Sequence, residues 1–184
     1  MNPTGARVPE LALPATALGA LRRTLLAELG PDRAATVLRN AGHAAGDALF
    51  QILTQPSAEG QPRLAELDAD RFWRRFAHLF AARGWGNLAH QAVHPGVAVL
   101  DSSDWAEADT ASGARRPSCF FTTGMLANVL GQVASGEVAV LEVECRSRGD
   151  AQCRFLFGSR DALGGVYEQL VSGASADNAV AQLG

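Results

Sequence analysis

The three cysteines are the residues whose type and spacing most clearly suggest chemistry. Cys145 and Cys153 flank a Gly-Asp turn in the segment VECRSRGDAQCRF, which runs from Val143 to Phe155. Both lie equally far from Gly149, so in a symmetric hairpin they would face each other with Cβ atoms about 4.5–5.5 Å apart. That separation suits either a cross-strand disulfide or two ligands of one tetrahedral zinc ion.

A metal site needs further ligands, and the sequence offers three candidates. Cys119 lies at the predicted start of a helix, where the helix dipole favours the thiolate form. Glu142 and Glu144 precede Cys145, but strict alternation along a strand places both on the face opposite to Cys145. A carboxylate would reach the metal only if the strand bulges, or if Glu142 wraps around its edge. From the residues alone, zinc, a disulfide or redox pair, and unreactive cysteines remain alternatives.

Hydrophobic periodicity predicts the elements that must position these residues. We expect helices at about residues 14–29, 32–54, 68–84, 119–133 and 161–171, and hairpins that turn near residues 95 and 149. One domain would span residues 13–173, between flexible tails at 1–12 and 174–184. Gly42 and Gly46 lie inside the second helix at a cost of roughly 1 kcal/mol each. Close approach of another helix, within the fold or across a dimer, would offset this cost; a plain alanine-rich helix is the alternative.

Composition limits the classes of protein that need to be considered. The chain has 184 residues, 47% of them hydrophobic, and a formal net charge of −3. An acidic chain of this kind is not typical of nucleic-acid-binding proteins. No apolar run approaches the roughly 20 residues that span a bilayer, and the N-terminus does not resemble a signal peptide. We therefore expect a cytoplasmic protein whose thiols stay reduced, and three cysteines would leave one outside any single disulfide.

Two segments resemble a known family. Pro117-Ser-Cys-Phe-Phe-Thr-Thr-Gly124 and the Val143–Phe155 hairpin are similar to the 4-vinyl reductase (4VR), or hydrocarbon-binding, domain. This family includes sensor domains of phenol- and xylene-responsive bacterial activators and small proteins linked to bacteriochlorophyll synthesis. The resemblance implies an α+β fold like that of TRAPP subunits, with helices packed on a twisted antiparallel sheet. It also implies a structural zinc held by four residues: Cys119, Glu142, Cys145 and Cys153.

The resemblance further implies a pocket for an aromatic ligand beside the metal, with a tryptophan and a histidine among its contacts. Trp105 lies in the matching sequence context, and His78 and His90 both fit the position of the histidine by distance. Other aromatic side chains that suit a pocket lining are Phe72, Phe76, Phe80, Trp85, Phe120 and Phe121. A packing role is the alternative for each of them, because aromatic stripes on helices commonly fill a core.

Three functions follow as hypotheses. The first is a zinc-containing sensor domain that binds a small hydrophobic or aromatic molecule and forms a homodimer. The second is a tetrapyrrole-binding accessory protein of bacteriochlorophyll synthesis, and the third is an adaptor or scaffold without a ligand. The sequence contains no glycine-rich nucleotide loop and no evident catalytic triad or carboxylate pair. A zinc with four protein ligands has no open position for a substrate, so our interpretation is a protein that is not an enzyme.

Overall fold

The computed structural model describes residues 8–55 and 62–183. Positions 1–7 of the expected N-terminal tail, and part of the predicted loop after the second helix, lie outside the described residues. The described part of the chain contains these elements in order: α1 (Ala15–Leu29), α2 (Pro31–Thr54), α3 (Ala69–Ala81), β1 (Ala89–His94), β2 (Val97–Ser102), α4 (Phe120–Ala134), β3 (Ala139–Glu144), β4 (Cys153–Gly158), α5 (Arg160–Val171) and α6 (Ala176–Ala181).

The four strands form one antiparallel sheet in the order β1-β2-β4-β3. Each predicted hairpin is present, and the pairing of β2 with β4 joins the two hairpins into a single sheet. In this pairing Leu100 lies opposite Phe155, and Ser102 lies opposite Cys153. The end of the first hairpin is therefore adjacent to the cysteine-bearing hairpin.

Helices cover both faces of the sheet, and each face has its own core. The core on one face contains the apolar residues of α2, α3 and α4, together with Leu100 and Phe155 from the sheet. The core on the other face lies between the sheet and helices α5 and α6, and contains Val99 and Leu156. Because side chains alternate along a strand, neighbouring residues of β2 and β4 serve opposite cores. The α+β class and the packing of helices on an antiparallel sheet are confirmed.

Helices α2 and α4 approach so closely that their backbones touch. A Cβ atom on Gly42 would overlap the carbonyl oxygen of Phe121, and one on Gly124 would overlap the carbonyl oxygen of Arg39. Gly46 likewise lies against the side chain of Asn128. The glycines of α2 thus permit close packing against α4, which answers the question raised by their cost in the helix. Since they face α4, they do not support the predicted dimer.

The structure differs from the sequence expectations at both ends of the domain. Helix α6 lies within the expected C-terminal tail: Ser175 caps it, and Ala179 and Val180 are buried against the sheet. The apolar stripe of α1 is only partly covered, and Leu21 is exposed. No helix among the described residues is long and apolar enough to cross a membrane.

Candidate metal centre and aromatic cluster

Four ionisable side chains converge where α4 begins and the second hairpin turns. We call Cys119, Glu142, Cys145 and Cys153 the thiol–carboxylate cluster; all four are buried, and their ligand atoms lie within 4.8 Å of one another. The Sγ atom of Cys119 is 3.8 Å from that of Cys145 and 3.9 Å from that of Cys153. Three sulfur atoms and one oxygen in this arrangement form a donor set that suits a tetrahedral metal ion.

A β-bulge places Glu142 in this cluster. Glu142 pairs with Phe155 while Glu144 pairs with Arg154, so β3 contains one extra residue between these pairs. Strict alternation would have kept Glu142 and Cys145 on opposite faces. The extra residue changes the alternation, so Val143 joins the core on the α5 side and both Glu142 and Cys145 are buried at the cluster. The bulge was one of the two local geometries that the sequence required for this ligand.

Crowding and burial oppose full ionisation of the cluster. Burial, followed by the negative charge at Cys145, raises the pKa of Glu142 to about 9. Hydrogen bonds to Cys145 and Cys153, together with burial, raise the pKa of the Cys119 thiol well above its usual range. This differs from the expectation that the start of the helix favours a Cys119 thiolate, because the neighbouring sulfurs outweigh the dipole. A cation at the centre would reverse this balance by attracting all four negative groups.

Two distant carboxylates satisfy the N-terminus of α4. The N-cap residue Cys119 makes no side-chain cap, and its backbone N–H instead donates to Oε2 of Glu142 at 2.8 Å. Glu107 accepts from the backbone N–H groups of Phe121 and Thr122 at 2.9 Å and 2.8 Å. Burial raises the pKa of Glu107 to about 7, although these hydrogen bonds act in the opposite direction. Sequence reasoning assigned no role to Glu107, despite its place directly after the Trp105 motif.

Six aromatic side chains pack beside the thiol–carboxylate cluster, and we call them the aromatic cluster. Trp105 is fully buried at its centre, and its ring centroid lies 5.7 Å from those of Phe80 and Trp85 and 5.9 Å from that of Phe155. The indole Nε1 of Trp105 donates to Oγ1 of Thr122 at 2.7 Å. The full set is Phe76, Phe80, Trp85, Trp105, Phe121 and Phe155.

The structure brings some of the predicted pocket residues together and places others elsewhere. Trp105, Trp85 and Phe76 belong to the aromatic cluster. His78 is only partly buried on α3 and takes no part in it. Phe120 lies under the guanidinium of Arg39, 5.0 Å from its ring centroid, and the adjacent Phe121 stacks on Trp85 instead. His90 stacks on Trp73 at 3.8 Å with a pKa lowered by burial, so it too lies outside the aromatic cluster as defined.

Comparison with known proteins bears on the segment that carries both clusters. Residues 101–159 match the family model of the vinyl-4-reductase (4VR) domain. The matched segment includes Trp105, α4, β3 and β4, and all four residues of the thiol–carboxylate cluster. The resemblance to this family, inferred from the cysteine-bearing hairpin, is confirmed. No curated protein matches the chain.

The fold is similar to those of two solved structures. One is the phenol-responsive sensory domain of the transcription activator PoxR with phenol, with a TM-score of 0.67 and 18% identity, covering 88% of this chain and 82% of that chain. The other is a vinyl-4-reductase family protein from Methanocaldococcus jannaschii, with a TM-score of 0.53 and 18% identity, covering 80% of this chain and 82% of that chain. At this identity, the similarity establishes the fold alone.

Proposed function

We propose that this protein is a ligand-sensing domain that binds a small aromatic molecule at the aromatic cluster, next to a structural zinc ion. The observation that carries the proposal is the position of β4 between the two clusters. Cys153 of this strand belongs to the thiol–carboxylate cluster, and Phe155 of the same strand contacts Trp105. The family match and the shared fold with a phenol-responsive sensory domain support the same interpretation.

The donor set of the thiol–carboxylate cluster fits zinc. Buried Oε1 of Glu142 has no hydrogen-bond partner among the described residues, which is costly for a carboxylate unless a cation satisfies it. Thiolate ligands select soft or borderline metals over calcium and magnesium. Cys119, Glu142, Cys145 and Cys153 would hold the ion, whose charge favours ionised thiols and a link between the hairpin and α4. Four protein ligands give the ion a structural role.

Binding of an aromatic ligand requires a side chain of the aromatic cluster to move, because Trp105 is fully buried. Trp85 is the best candidate, since it is only partly buried and stacks on both Trp105 and Phe121. It lies between Gly84 and Gly86, whose φ angles of 75° and 119° are readily adopted by glycine. Displacement of Trp85 would expose the face of Trp105 to a planar ligand.

The polar end of such a ligand would meet the Trp105–Thr122–Glu107 chain of hydrogen bonds. Trp105 Nε1 donates to Thr122 Oγ1, and this hydroxyl donates to Oε2 of Glu107. A ligand hydroxyl could accept from Trp105 in place of Thr122. We therefore expect aromatic ligands with one hydroxyl group to bind more tightly than the matching hydrocarbons, because a buried donor left without a partner is penalised.

Metal analysis and ligand titration test this proposal together. We expect about one zinc per chain in protein purified without added metal, with thiols that react only after chelation. Phenol and toluene can then be compared by thermal stabilisation and by tryptophan fluorescence, using Trp105→Phe as the test variant and Trp73→Phe as its control. Phenol should stabilise the wild type and Trp73→Phe but not Trp105→Phe. Zinc-free protein with two thiols lost as a disulfide would contradict the metal site, and equal responses of both variants would contradict the ligand site.

The output of this sensor would require a partner, and we propose a homodimer formed through α1. Leu21 of α1 is 51% exposed, and Leu18 and Leu25 on the same helix are only partly buried. Sedimentation analysis of the wild type and of Leu21→Glu checks the proposal. A dimer that persists in the variant would place the interface elsewhere.

A further inference from the structure

Helix α1 contributes a buried arginine to the neighbourhood of the thiol–carboxylate cluster. Arg22 is 3% exposed and is the only residue of α1 that is fully buried. Its Nη1 atom donates to Oγ of Ser118 at 3.1 Å and to Oγ of Ser147 at 3.4 Å. Its Nη2 atom lies 3.5 Å from a carboxylate oxygen of Asp109. An arginine in this environment would be costly to bury without these partners.

Both serines lie directly beside residues of the cluster. Ser118 precedes Cys119 in the chain, and its Oγ atom is 3.9 Å from Sγ of Cys145. Because Ser118 accepts from Arg22, its own hydroxyl proton is free to point at that sulfur. Ser147 lies in the turn between Cys145 and Cys153, and its Oγ atom also accepts from the backbone N–H of Asp109 at 2.9 Å. Arg22 therefore reaches both segments that carry the thiols.

Charge gives this contact a direction. Three thiolates and one carboxylate around a divalent cation leave a net negative charge, which a buried guanidinium nearby stabilises. The pairing of Arg22 with Ser118 and Ser147 should consequently strengthen when the cluster holds a metal ion. Without the ion, the thiols keep protons and the attraction between the cluster and Arg22 falls.

We propose that Arg22 is a positioning residue that couples the docking of helix α1 to metal binding at the thiol–carboxylate cluster. The inference rests on the proposed metal site. Metal binding fixes Ser118 and Ser147, and these serines fix Arg22 and with it the helix. Little else holds α1 in place, since its apolar side chains are all at least partly exposed. The metal centre thus sets the position of the same helix that would carry the dimer contact.

Hydrogen exchange of the full-length protein tests this coupling. Exchange of α1 amides is compared between zinc-loaded protein and protein treated with a chelator, with the amides of α5 as an internal reference for general loosening. In the wild type, loss of zinc should speed exchange in α1 by roughly tenfold or more relative to α5, because charged hydrogen bonds are lost. This comparison needs no variant, so it stands even if a substitution impairs folding.

Variants of Arg22 and Arg23 provide matched controls. Arg23 also pairs with Asp109, at 3.2 Å, but is 62% exposed. In zinc-loaded Arg22→Met, α1 should exchange as fast as in the stripped wild type, and zinc affinity should fall by about 10- to 100-fold. Arg22→Lys keeps the charge and should restore part of the affinity. Arg23→Met should behave as the wild type.

The outcomes separate this inference from the function it rests on. Protein that binds no zinc would overturn both the metal site and the coupling. Protein that binds one zinc per chain, yet shows the same α1 exchange with and without it, would overturn the coupling alone. So would an Arg22→Met variant that retains the zinc dependence of α1. Faster exchange of α1 on zinc removal, abolished by Arg22→Met and retained in Arg23→Met, would support the inference.

Discussion

Replacing Glu142 with glutamine should change the stability of the protein in opposite directions with and without bound zinc. Oε2 of this buried carboxyl accepts from the Cys119 N–H at 2.8 Å, while Oε1 has no partner among the described residues. Glutamine has nearly the same shape and keeps an oxygen for the Cys119 N–H. It removes the negative charge that a cation would require.

The size of the effect without zinc follows from the pKa of Glu142. Burial raises this pKa from 4.5 to about 9, so above pH 4.5 the unfolded chain loses a proton that the folded chain retains. Folding therefore becomes less favourable as the pH rises between these values. At pH 7 the penalty is roughly 3 kcal/mol, from about 2.5 pH units at about 1.4 kcal/mol each. Glutamine escapes this penalty, so zinc-free Glu142→Gln should be more stable than the zinc-free wild type by up to that amount.

With zinc the order should reverse. Loss of a charged ligand should weaken zinc binding by about 100-fold or more, since loss of an outer-shell partner alone costs about 10- to 100-fold. At saturating zinc, a 100-fold loss of affinity corresponds to about 2.7 kcal/mol of stability. Urea unfolding at pH 7, once with chelator and once with zinc, measures both differences.

A matched control is available two positions further along the strand. Glu144 points to the other face of the sheet, where it pairs with Arg154 at 3.3 Å. Glu144→Gln should shift stability by the same small amount in chelator and in zinc. If Glu142→Gln shifts stability in the same direction under both conditions, the reasoning about the thiol–carboxylate cluster is wrong.

Three further substitutions test other parts of the structure. Burial raises the pKa of Glu107 from 4.5 to about 7, so the wild type should lose roughly 3 kcal/mol between pH 4.5 and 7; Glu107→Gln should abolish this pH dependence in urea unfolding, although its amide fits the N–H groups of α4 less well at every pH. Gly42→Ala should destabilise the protein by about 1–3 kcal/mol or more, because the new Cβ atom overlaps a carbonyl oxygen of α4. Trp105→Phe removes the 2.7 Å hydrogen bond to Thr122 and should cost about 1–3 kcal/mol in thermal unfolding while leaving the zinc content unchanged.

Each of these has a result that would contradict it. A pH dependence that survives in Glu107→Gln would belong to another group. Gly164→Ala is the control for Gly42→Ala, since no other atom lies within 4 Å of its added Cβ and the change should stabilise α5 by about 1 kcal/mol. Equal effects at both glycines would argue against close packing of α2 on α4. Zinc lost from Trp105→Phe would show that the two clusters are not separable.

The regular elements were predictable because local pattern determines them. Asp68 does cap α3, where its side chain accepts from the Arg71 N–H at 2.8 Å, and the aromatic stripe of that helix does face the core. Both hairpins form around the predicted turns. Helix α6 was missed because it has only six residues, and two of them, Ala179 and Val180, gain stability from packing on the sheet rather than from local propensity.

The candidate site was only partly predictable, because long-range contacts decide its details. Alternation along a strand gave the wrong face for Glu142, and only the bulge explains how the carboxylate reaches the cysteines. Arg22 was missed, although a charged residue within the leucine stripe of α1 was a usable signal. The choice between Phe120 and Phe121 depends on how α4 is rotated against α2, which no local pattern in the sequence determines.

The backbone contact between α2 and α4 has a mechanical consequence. With no side chain between Gly42 and the Phe121 carbonyl, or between Gly124 and the Arg39 carbonyl, neither helix can roll over the other. The pair must travel as one stiff rod, and α4 alone is about 20 Å long at 1.5 Å per residue. A push on its first turn, beside Cys119, would therefore be felt at Ala134, at the far end of the same helix.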